Sequence, residues 1–74
     1  MDGIKRDEIR AIMGRKSMSI TSLSKSVGVT RATMSAFLHG KSPSYAMMRG
    51  IRKALCLTNE EAFYIFFESD LRNT

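Results

Sequence analysis

Residues 27–41, VGVTRATMSAFLHGK, hold a glycine where a run of helical spacing breaks, a threonine able to cap a new helix, and an apolar stripe at helical intervals. Gly28 suits a turn that needs a positive φ, where a β-carbon would be strained. Thr30 is of the N-cap type, its hydroxyl placed to accept a backbone N–H of the next turn. Met34, Phe37 and Leu38, at i, i+3 and i+4, make one core-facing stripe that stops at His39 and Gly40. The spacing predicts a short helix behind a tight turn. Thr30, Arg31, Ala32, Thr33, Ser35, Ala36 and His39 are left on its solvent side.

Working outward, the same period recurs. Ser19 can cap a segment in which Ile20, Leu23 and Val27 repeat at i, i+3 and i+7 before Gly28 ends it. Further upstream, residues 4–16 set Ile9, Ile12 and Met13 on one face, with Gly14 near the end and basic residues in the last turn, where the helix dipole favours them. Downstream, residues 40–44 read as a turn around the only proline, and Ser44 can cap a helix carrying Met47, Met48, Ile51, Ala54 and Leu55. Thr58 and Glu61 in "TNEE" have the capping-box spacing and open a fifth helix over about 59–69. No strand reading survives well, because strict apolar alternation is absent and apolar residues recur at three- and four-residue spacing instead. The expected fold is all-α, a compact bundle of about five short helices in one domain spanning 1–74. A chain of 74 residues has room for one thin core and none for an enclosed substrate cavity.

Charge is distributed unevenly. The formal net charge is +5, and between Ile9 and Asn59 there is no aspartate or glutamate, while Arg10, Arg15, Lys16, Lys25, Arg31, Lys41, Arg49, Arg52 and Lys53 fall there. The acids flank this block, with Asp2, Asp7 and Glu8 before it and Glu60, Glu61, Glu68 and Asp70 after it. A contiguous acid-free basic segment projects a positive field that raises the local concentration of a polyanion. Its basic residues are spread over short segments broken by Gly14, Gly28, Gly40 and Pro43, which favours nucleic acid over the long amphipathic helix that a membrane surface needs. No apolar run reaches the length of a membrane span, and the start "MDGIKRDEIR" has no apolar signal region, so a cytoplasmic location is expected.

Enzymatic chemistry finds no constellation here. There is one histidine and one cysteine, too few for a cysteine-histidine zinc site, and no phosphate-loop motif or base beside a serine. Neither a metal nor a cofactor is expected. Cys56, between Leu55 and Leu57, reads as a buried thiol, and the six methionines as core packing. The run "AFYIFF" holds four of the six aromatic residues and is apolar nearly all round, so the fifth helix should pack one side on the core and offer Phe63, Tyr64, Phe66 and Phe67 to a dimer or other protein contact.

The stretch "SITSLSKSVGVTRATMSAFLHGKSPS", residues 19–44, resembles the helix-turn-helix of the phage repressor and Cro superfamily, the lambda repressor-like or XRE family, with the motif at about 19–39. Leu23, Val27, Val29, Met34, Phe37 and Leu38 fall where that family is apolar, Ser24 where it wants a small residue at the helix crossing, Gly28 at the turn, and "LHGK" resembles its "LNGK". The resemblance implies that the helix after Thr30 enters the major groove of double-stranded DNA. Base-reading candidates are then Arg31, Ala32, Ser35 and Ala36, with Arg31 able to bond two acceptors of guanine or to bind a phosphate. Phosphate candidates are Ser22, Lys25, Thr30, Thr33, His39 and Lys41. The family often has glutamine at the start of the first motif helix, where this chain has Ile20. The implied function is a sequence-specific transcriptional regulator of Cro or repressor type, non-enzymatic, a homodimer on a pseudo-palindromic operator in a bacterial host cell, nucleoid-associated. The alternative is a small phage switch protein, a modulator of repression or antirepressor, that binds a larger phage repressor protein.

Overall fold

Hydroxyl residues start four of the five helices in the computed structural model, which describes residues 2–68. Helix α1 is Arg6–Arg15, α2 Ile20–Val27, α3 Arg31–Leu38, α4 Tyr45–Ala54 and α5 Asn59–Phe66. Ser19, Thr30, Ser44 and Thr58 each accept the backbone N–H of the residue three further on, and Ser19 and Thr58 complete capping boxes with Ser22 and Glu61. Each such cap contributes about 1 kcal/mol. α1 lacks one: Lys5 stands at its cap position without a side-chain bond, so the helix begins two residues later than the spacing suggests. Asp7 and Glu8 in its first turn favour the positive end of the dipole instead.

The first four helices end alike. Ser17, Gly28, Gly40 and Cys56 adopt positive φ of 54°, 88°, 122° and 55°. The next amide in each case reaches back five residues, Met18 to Met13 O, Val29 to Ser24 O, Lys41 to Ala36 O and Leu57 to Arg52 O, at 2.9 to 3.0 Å. These are Schellman closures, which satisfy carbonyls that a helix end leaves open. Cys56 is therefore exposed, not buried as its neighbours suggested. Leu55 and Leu57 turn into the core, and the left-handed residue between them faces out. Because a β-carbon costs about 1 kcal/mol in that conformation, Cys56→Gly should raise the unfolding free energy by up to about that amount in a urea titration, and an unchanged midpoint would mean that position 56 carries no strain.

Ile9, Leu23, Met34, Phe37, Ile51 and Leu55 are the fully buried centre, with Ile12, Met13, Leu38, Met47, Leu57, Ile65 and Phe66 around them. Ile20, Val27, Val29, Met48 and Ala54 pack half-buried against this core. α2 lies against α3 and α4, and α1 against α5. The α2/α4 approach is closest at Gly50, where an added Cβ would stand 2.7 Å from Val27 Cγ1. Valine is branched at Cβ and stiff at χ1, so the clash cannot be relieved by a swing of a flexible tip. Alanine is the better helix former by about 1 kcal/mol, yet overpacking costs about 1 to 3. Gly50→Ala should therefore lower stability by about 1 kcal/mol, and Gly50→Ala with Val27→Ala should recover part of the loss in thermal melts.

In α5, Ala62, Ile65 and Phe66 face inward. Phe66 is only 4% exposed, which corrects its place among the outward aromatics, whereas Phe63, Tyr64 and Phe67 are 46%, 42% and 41% exposed. The helix ends at Phe66, and Ser69 and Asp70 lie outside the described residues. No helix among the described residues is long and apolar enough to cross a membrane.

Candidate nucleic-acid interface

α2, the Gly28–Val29 turn and α3 form a bihelical unit, with the two helices packed on each other. Ser24 is 2% exposed between the helices and donates its hydroxyl to Thr21 O at 2.8 Å, so the small polar residue at the crossing is satisfied within its own helix. Ile20 packs half-buried on the core and offers no polar group outward. Ser22 Oγ accepts from the Ser19 N–H at 2.8 Å and donates to Ser19 O at 3.1 Å. Its hydroxyl is thereby engaged in starting α2. Lys25 is exposed.

The first turn of α3 is open. Thr30, Arg31, Ala32 and Thr33 are exposed, while Ser35 and Ala36 one turn later are half-buried. Thr30 Oγ1 accepts the Thr33 N–H and donates to Thr33 Oγ1 at 2.9 Å, which leaves the Thr33 hydroxyl hydrogen available to an outside acceptor. Arg31 makes no hydrogen bond or ion pair within the described residues, and α3 has no acid in its first turn, in contrast to α1 and α5. A cation there opposes the positive end of the helix dipole, so the isolated domain gains nothing from Arg31. At the far end of α3, the His39 ring sits with Nδ1 2.8 Å from Ser35 O. A carbonyl only accepts, so Nδ1 carries the proton there.

Behind that far end stands a cluster that the one-dimensional pattern did not show. The Arg6 guanidinium donates from Nε to Phe37 O at 2.5 Å and from Nη2 to Lys41 O at 3.0 Å, and stacks 4.9 Å from the Phe37 ring. Arg10 donates to Leu38 O at 2.6 Å. Asp2 receives both Nη1 and Nη2 of Arg6 at 2.9 Å, the Ile4 N–H at 3.1 Å and the Ser42 hydroxyl at 3.2 Å. The Arg6 pair, aided by the Ile4 amide and Ser42, holds the Asp2 carboxyl far below the usual carboxylate range despite partial burial. A carboxyl depressed in the folded state lends stability that is fully present above its unfolded value near 3.8 and is lost only as pH falls below it. The pair is a bidentate, charge-assisted one and is charged throughout the neutral range.

The basic block is thus divided by use. Arg10 and Arg52 are occupied within the fold, the latter by Asn59, and Arg49 lies 5.6 Å over the Tyr45 ring. Lys25, Arg31 and Lys41 are exposed around the bihelical unit with no ion pair among the described residues. Two helices joined by a left-handed glycine, with an uncommitted cation on the exposed first turn of the second, have the form of a groove-entering unit. Residues 8–62 match the family model described as Cro/C1-type HTH DNA-binding domain. The chain belongs to this family. Membership in the Cro/C1-type HTH family makes it a DNA-binding protein of a typically non-enzymatic class. Comparison with the curated proteins and with the solved structures gave no match.

On a second face, α4 and α5 border a groove of about 240 Å³ whose lining includes Tyr45, Met48, Phe63, Phe67 and the largely buried Phe66, together with Arg49 and Arg52. It gathers Phe63 and Phe67 beside Tyr45, which is 67% exposed and whose place there no sequence pattern signalled. Tyr64 stands apart from that lining, under the Lys5 ammonium at 4.4 Å.

Proposed function

We propose that this Cro/C1-type protein is a sequence-specific transcriptional regulator that acts as a homodimer on a pseudo-palindromic operator, in the cytoplasm of a bacterial host and at its nucleoid. The observation that carries it is the first turn of α3, exposed, free of acids and headed by Arg31. In this reading Arg31, Ala32, Ser35 and Ala36 meet base edges, Ala32 and Ala36 through a thymine methyl or by permitting close approach. Lys25, Thr30, Thr33, His39 and Lys41 meet phosphates, Thr33 through the hydroxyl hydrogen that Thr30 leaves it, and Ser22 contributes through its capping role. The apolar groove between α4 and α5 supports the dimer, because it gathers three exposed aromatics, the residue type enriched where proteins meet.

The same groove favours a second reading, in which the protein works as a phage modulator of repression or antirepressor by docking on a larger repressor. Footprinting across the neighbouring promoter separates the two. Protection by this protein alone, spaced as two half-sites about 34 Å apart, is expected for the operator-binding dimer. An effect seen only when a co-encoded repressor is present would replace the first reading with the second.

A further inference from the structure

We propose that Asp2 and Arg6, with Arg10, are positioning residues for DNA binding: they clamp the loop between α3 and α4 and thereby set the phosphate contact made by Lys41. The proposal rests on the DNA-binding reading above and adds residues that touch no DNA.

Three observations carry it. First, the acceptors are the last two carbonyls of α3, Phe37 and Leu38, and the carbonyl of Lys41 in the loop, so two guanidinium groups from α1 fasten the segment that bears Lys41. Cations bonding the carbonyls at a helix C-terminus also satisfy the negative end of its dipole. Second, Asp2 grips both the Arg6 fork and the Ser42 hydroxyl, which closes a ring through Arg6, Lys41 and Ser42 on the far side of the loop. A fork bound on one side by a carboxylate and on the other by two carbonyls has one geometry, and the loop inherits it. Third, Asp2 and Arg6 lie outside the span matched by the family model, 8–62, while Arg10 and the carbonyls they fasten lie inside it, so the match does not by itself account for the Asp2–Arg6 part of the clamp.

Electrostatics alone predicts the opposite sign. Removing Asp2 raises the formal net charge by one from +5, and a more positive protein should bind a polyanion more tightly. The clamp predicts weaker binding, because a loosened loop must be ordered again each time Lys41 meets its phosphate.

The test uses the full chain, a 30-base-pair mixed-sequence duplex as probe, and fluorescence anisotropy over a series of salt concentrations. Lys41→Ala should flatten the dependence of log affinity on log salt by about 0.9, the signature of one lost phosphate contact. Asp2→Ala should bind about threefold to tenfold more weakly than the parent at moderate salt and shift the slope in the same direction. The double variant should bind no worse than Lys41→Ala, since a positioning residue has nothing left to position. Tighter or unchanged binding by Asp2→Ala, or full additivity in the double variant, overturns the clamp. Circular dichroism at the assay temperature keeps unfolding out of the comparison. If the parent protein binds no duplex, the DNA reading itself fails. The clamp is then judged by amide exchange at Gly40 and Lys41, which should quicken in Asp2→Ala, and unchanged exchange there overturns it as well.

Discussion

Phe37→Ala should lower the unfolding free energy by about 3 to 5 kcal/mol, a loss that unfolds much of the protein at 37 °C when the parent stands at the low end of the range for its size. A domain of 74 residues has about 4 to 11 kcal/mol in total, so this single truncation removes a large share of it. The size of the effect stems from position. The ring is 1% exposed among Ile9, Leu23, Met34, Ile51 and Leu55, and short helices held by local caps cannot close around a void of that volume. The ring also carries the Arg6 guanidinium at 4.9 Å, while its own carbonyl receives Arg6 Nε. Alanine keeps the carbonyl and loses the stacking surface, so the damage should spread to the α3–α4 loop. Urea unfolding monitored by circular dichroism reads the first effect. A loss below about 1 kcal/mol would mean that the core repacks around position 37 and that its centre lies elsewhere.

Local chemistry was legible in the chain, and distant chemistry was not. Ser19, Thr30, Ser44 and Thr58 cap the helices that their spacing announced, because a cap involves residues three apart. Gly28 turns where the pattern broke. The Asp2–Arg6 pair, at i and i+4, went unread in the chain, and its meaning depends on carbonyls 31 and 35 residues from Arg6. Nothing in a local window points to them. Gly50 reads as an ordinary helical glycine until Val27 of another helix is found against it. Cys56 misled for a related reason: two flanking leucines suggested burial, but a left-handed turn sends neighbours to opposite sides. α5 was legible as a two-sided helix and illegible in phase. Which aromatics face outward depends on how α5 docks on α1, and the docking turns Phe66 in and leaves Phe63, Tyr64 and Phe67 out. Of the candidate DNA contacts, the exposure of Thr30 to Thr33 agrees with the helical period, whereas the engagement of Ser22 by Ser19 takes a hydroxyl that the pattern alone counted as free.

Arg31→Ala should move stability and function in opposite directions. The side chain sits at the first position of α3, exposed, with no acid in that turn, so its charge opposes the helix dipole and its removal should stabilise the free domain by a few tenths of a kcal/mol. Residues kept against local preference are expected where function needs them. On an operator recovered by selection from random duplexes, the same substitution should weaken binding by about 1 to 3 kcal/mol, between roughly fivefold and a hundredfold. Two outcomes distinguish what Arg31 does. If it reads a guanine, the loss is confined to operators carrying that base pair, and discrimination at one position disappears. If it meets a phosphate, affinity falls evenly across sequences and the salt dependence flattens by about 0.9. Because no carboxylate among the described residues competes for this guanidinium, it reaches DNA without first breaking an internal pair, and either contact should show nearly its full value. Unchanged affinity on every duplex would remove Arg31 from the interface. It would also leave the exposed first turn of α3, and with it the operator-reading function, without its main support.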